Sequence, residues 1–74
     1  MVYTIPEAAH VKLEVYDLLG RVVKVLVDGM RDAGRHRVVW DGRDSSGRPV
    51  ASGAYLIRLE AGPFCRVQKA VLIR

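Results

Sequence analysis

Apolar and polar residues alternate with a period of two along most of the chain. Val11, Leu13 and Val15 interleave with Lys12, Glu14 and Tyr16. Val23, Val25 and Val27 interleave with Lys24 and Leu26. His36, Val38 and Trp40 fall on one side of a further segment, with Arg35, Arg37 and Val39 on the other. Tyr55, Ile57 and Leu59 interleave with Leu56, Arg58 and Glu60. Successive side chains of a strand point to opposite faces, so this pattern predicts half-buried strands. The stretch from Arg66 to Ile73 adds β-branched residues. No window of helical length carries apolar spacings of three and four. The predicted strands cover 2–5, 11–17, 21–27, 35–41, 54–60 and 66–73. A short seventh is expected over 48–50, where Pro49 suits an edge.

Turn signals separate these runs. Asp17-Leu18-Leu19-Gly20 and Asp44-Ser45-Ser46-Gly47 share one grammar, and Asp32-Ala33-Gly34 and Asp41-Gly42 mark two more turns. Gly20 can adopt the positive φ that closes a tight turn, and Asp17 can bond back to the turn backbone. Gly20, Gly47 and Gly53 are read as structural glycines, and Trp40 and Tyr55 as structural aromatics. Short strands with regular turns predict an all-β antiparallel sandwich, two sheets facing across about 10 Å. Trp40, the largest side chain, is the expected central plug, with its indole N–H finding a partner inside.

Composition narrows the function. Seventy-four residues form one domain, 1–74. A chain of this size buries only about 60% of the surface its unfolded form exposes, which excludes a deep catalytic cleft. At 50% hydrophobic residues it has enough apolar side chain for one core. No apolar run approaches the roughly 20 residues of a membrane-spanning helix. Met1-Val2-Tyr3-Thr4 lacks the features of a signal peptide, so any export signal is expected on a longer parent chain. The net charge of +4 comes from twelve Lys and Arg against eight Asp and Glu. The arginines are scattered, which reads as a solvated face and not as a nucleic-acid interface. The absence of Asn and the single Gln resemble a thermophilic composition. Cys65 is the one cysteine. It cannot form an internal disulfide, and it reads as a partly buried small hydrophobe, with an exposed thiol that links chains as the alternative. With only His10 and His36 beside it, a Cys/His zinc site is excluded. No cofactor is expected.

Candidate chemistry is sparse. Asp41, Asp44, Ser45 and Ser46 lack the alternating ligands and the terminal Glu of a calcium loop, and they read as turn caps. Ser45, His36 and Asp41 can be written as a hydrolytic triad, but nothing in the sequence joins them or supplies an oxyanion hole. Glu7, Glu14 and Glu60 fall on solvent faces or ends by periodicity, which disfavours paired-carboxylate chemistry. An accessory carbohydrate- or protein-binding module of a secreted enzyme is the stronger alternative. Its stacking candidates are Tyr3, Tyr16 and Phe64, with Tyr16 otherwise covering a neighbouring strand.

The ordered segments carry a resemblance. They run Ile5-Pro6-Glu7, Val11 through Val23, Ala33-Gly34-Arg35-His36, Val39 through Asp44, Gly47, Val50-Ala51-Ser52-Gly53-Ala54-Tyr55, Arg58-Leu59 and Lys69 through Arg74. Together they resemble the immunoglobulin-like C-terminal modules of secreted bacterial proteins, the type A sorting domains of the type IX secretion system. They are equally similar to the Ig-like domain of the flagellar hook-capping protein, the FlgD type. The resemblance implies an Ig-like antiparallel β-sandwich of about seven strands without catalytic groups. For the sorting branch it implies a C-terminal tag of an exported protein, at the cell surface or outside it. The tag would be read by a secretion translocon component, with the parent protein as cargo on its N-terminal side. A terminal strand can offer backbone groups for β-augmentation. The expected recognition residues are therefore Lys69, Val71, Ile73 and Arg74.

Overall fold

The computed structural model describes residues 1–73. The described residues are all-β, with six strands in chain order: β1 Val2–Ile5, β2 Ala9–Tyr16, β3 Val22–Arg31, β4 Gly34–Arg37, β5 Gly53–Ala61 and β6 Phe64–Leu72. They form an antiparallel four-stranded sheet, β3-β2-β5-β6, and a two-stranded sheet, β1-β4. This is the all-β antiparallel sandwich that the alternation predicts, with the immunoglobulin-like form that the resemblance implies.

The core lies between the sheets. Val11, Leu13 and Val15 of β2 are fully buried, and Tyr3, Ile5, Ile57, Leu59 and Ala61 close around them. Each large apolar side chain so enclosed contributes about 1.5–3 kcal/mol. The alternation in β2 and β5 is the physical cause: every second residue meets the facing sheet. Tyr55, near the start of β5, is buried, and its hydroxyl donates to the Ala51 carbonyl four residues upstream at 2.6 Å. A tyrosine bonding back to the backbone at this corner is a hallmark of immunoglobulin-like sandwiches.

Four expectations are corrected. Trp40 is not the central plug. It is partly buried and packs against the core from outside it, its indole N–H donates to the Arg43 carbonyl at 3.0 Å, and it meets Tyr55 edge-on at 5.1 Å. Strand β4 ends at Arg37, before Trp40, so the indole leaves the sheet with the connection to β5. The long alternation predicted over 21–27 breaks in register. β3 carries an extra residue opposite Leu13/Glu14 and another opposite Val15/Tyr16. Each bulge resets the parity of the strand. Val25 thus lies opposite Glu14 and is 41% exposed, whereas Val23 and Leu26 pack against the core. The seventh strand reduces to one bridge, Arg43 with Pro49, flanked by Asp44 N–H to Arg48 O and Val50 N–H to Gly42 O. Proline has no N–H to extend such a ladder. Cys65, expected to be partly buried, is exposed on β6.

Candidate functional site

Two turns of the same sequence pattern, Asp-x-x-Gly-Arg, adopt the same geometry. In the first, the Asp17 Oδ1 accepts the N–H groups of Leu19 and Arg21 at 2.9 and 3.0 Å, and Gly20 N–H reaches the Asp17 carbonyl. In the second, the Asp44 Oδ1 accepts those of Ser46 and Arg48 at 2.9 and 3.0 Å, and Gly47 N–H reaches the Asp44 carbonyl. Gly20 and Gly47 stand at φ +85° and +81°, where a side chain would be strained. Gly53, the third structural glycine, opens β5 at φ +154°. The turns meet where Ser45 donates its N–H and its hydroxyl to the Val23 carbonyl, at 3.1 and 3.3 Å. Between them lies a shallow, open depression of about 390 Å³, lined by Asp17, Arg21, Val23, Asp44, Ser46 and Val50 among others. The backbone N–H of Arg21, together with its guanidinium 2.8 Å from the carboxylate, holds Asp17 below the usual carboxylate range.

The sequence-predicted groups do not converge. Asp41 accepts the Arg43 N–H at 3.1 Å, and Asp44 is occupied by its own turn. Both act as local caps. Ser45 bonds to Val23, His36 to the Asp32 carbonyl at 2.8 Å, and Asp41 to Arg43, so the structure gives the written triad three separate sets of partners. Tyr3 is not a surface aromatic. It is buried and stacks on His36 with centroids 5.2 Å apart. Tyr16 shares its face with Leu56, and Phe64 shares the opposite face with Ala61. The remaining stacking candidates therefore form no common platform.

Glu14 is also a correction. Periodicity placed it on a solvent face, and it does lie opposite the core, yet it is only 8% exposed. Tyr16 donates its hydroxyl to Glu14 at 2.8 Å, and the Lys12 ammonium stands 3.7 Å away. Arg58 is its cross-strand partner on β5. The bond to Glu14, with some burial, raises the Tyr16 phenol above its usual value. The next pair is Lys12 with Glu60, and Arg58 reaches Glu60 at 2.7 Å. Opposite charges thus alternate across this face, as favourable cross-strand pairs do. Pattern sets a residue's face but not the height of its neighbours, so sequence reasoning missed Glu14.

Lys69 and Val71 lie on β6, which among the described residues pairs with β5 alone, and both are exposed, as is Ile73 just past its end. Arg74 lies outside the described residues.

With this geometry in place, the family can be stated. The family model for the FlgD Ig-like domain matches residues 1–62, the span of β1 to β5. The chain belongs to that family of immunoglobulin-like modules. No curated protein and no solved structure matches it.

Proposed function

We propose that this chain is a non-catalytic, immunoglobulin-like assembly module of the flagellar hook-capping type, working outside the cytoplasm as part of a larger exported assembly. The family match over residues 1–62 carries this reading. The geometry supports it. Turn carboxylates are spent on their own backbones, and the prominent unused features are open strand edges, which join proteins through main-chain hydrogen bonds. The partners are accordingly other polypeptides.

The test is an exchange. A chimeric hook-capping protein carrying this chain in place of its own Ig-like domain is expressed in a capping-null flagellated strain. Restored hook growth is expected. A chimera that is exported and folded but leaves cells without hooks overturns the proposal.

A second reading, the sorting or anchoring tag, draws on one observation: Lys69 and Val71 stand exposed on an edge strand, and Ile73 just past it, outside the matched span. A fusion of the chain to an exported reporter, in a bacterium with the type IX system, tests it. Surface display that disappears on removing residues 69–74 supports the tag. Periplasmic retention of the intact fusion removes it.

A further inference from the structure

The two Asp-x-x-Gly-Arg turns share a backbone but not their tips. Asp17 and Gly20 hold the first turn as Asp44 and Gly47 hold the second, bond for bond. Where the second carries Ser45 and Ser46, the first carries Leu18 and Leu19, 66% and 79% exposed. The turn does not require leucine, since the same geometry holds with serine. The core does not require it either, because neither leucine packs against the core among the described residues. Two adjacent leucines held in water on a rigid turn are a preformed anchor, ordered before anything binds. Beside them lies the depression of about 390 Å³ between the turns, with Val22, Val23 and Val50 in its lining. An apolar knob and an apolar-lined hole thus share one rim. Both are built from residues 17–50, so their exposure owes nothing to where the chain starts or stops.

We infer that this rim is a self-association surface: the Leu18-Leu19 tip of one copy seats in the depression of a second copy, and the reverse. A knob and a hole side by side suit a two-fold axis, which sets each against the other twice. That geometry selects the occupant. A flanking segment of the same chain laid into the depression leaves the knob without a socket, whereas a second copy engages both. A standard interface takes about 800 Å² from each partner, about a sixth of this chain's 4947 Å². A pair of turns offers less, so the contact is a weak one that forms at about millimolar concentration. Modules tethered side by side in one assembly meet at such effective concentrations. The inference needs only the two turns and not the flagellar context, so a failed domain exchange leaves it standing.

The test is sedimentation equilibrium of the 74-residue chain at up to about 1 mM. The average mass is expected to climb from that of one chain toward that of two, and no further. Leu18→Ser/Leu19→Ser gives the first turn the side chains of the second, so the fold is kept. It is expected to weaken association at least about tenfold. Ser46→Trp fills the depression and leaves the knob intact. The turn accepts a large side chain there, as Leu19 shows at the equivalent position. This variant is expected to weaken association to a similar degree. Mixed together, the two variants restore one knob and one hole, and the mixture is expected to associate more tightly than either alone. Both are expected to melt with the parent in dilute solution; Leu19→Ala and Ser46→Phe repeat the two arms with smaller changes. A parent that stays monomeric at about 1 mM overturns the inference. So does either variant associating as the parent does, or a mixture no tighter than its parts, or growth beyond a dimer.

Discussion

Asp17 and Asp44 occupy equivalent positions in two loops and make the same bonds, and this much was readable from the repeated Asp-x-x-Gly-Arg text. A depressed carboxyl stabilises the fold above its unfolded value of about 3.9 and loses that contribution as the pH falls through the folded value. Asp17→Asn should therefore flatten the acid limb of a urea-midpoint profile below about pH 4. Tyr16 has the opposite sense. Its raised phenol contributes below about pH 10, and the contribution is lost as the pH climbs through the folded value. Tyr16→Phe should remove that alkaline component, and ultraviolet titration of the phenol reads the shift directly. Gly47→Ala, forced to φ +81°, should cost about 1–2 kcal/mol in the same denaturation assay. Trp40 and Glu14 were misjudged for related reasons. Size does not set depth, and a polar position in an alternating run can still be roofed by a neighbour such as Tyr16.

Strands β2 and β5 were legible nearly to the residue because the core face of each keeps an apolar residue at every second position. β3 was not, since its two bulges arise from how it fits β2 and leave no mark in its own composition. The energetics should follow the same division. Leu13→Ala, at the centre of β2, should cost about 2–5 kcal/mol. Trp40→Ala should fall below the roughly 3–5 kcal/mol that truncating a fully enclosed indole costs. Urea denaturation of the two variants side by side checks the order. A Trp40→Ala loss exceeding that of Leu13→Ala would return the indole to the core. Tyr55→Phe, deleting one buried hydroxyl bond to Ala51, should cost about 1 kcal/mol.

At the scale of the molecule, periodicity yields strands and turns but not their order, so the unequal sheets were invisible until the pairings were known. The candidate chemistry dissolved for a similar reason, because residue types that spell a triad or a calcium loop end up with separate partners. The alternating charges on the outer face of the wide sheet have a last consequence. A flat neighbour laid over Lys12, Arg58 and Glu60 would strip hydration from three exposed charged heads at once, a cost apolar contact rarely offsets. The charged centre of that face is thereby insulated against stacking, which leaves its apolar margin, Val25, Val67 and Val71, as the part a neighbour could cover.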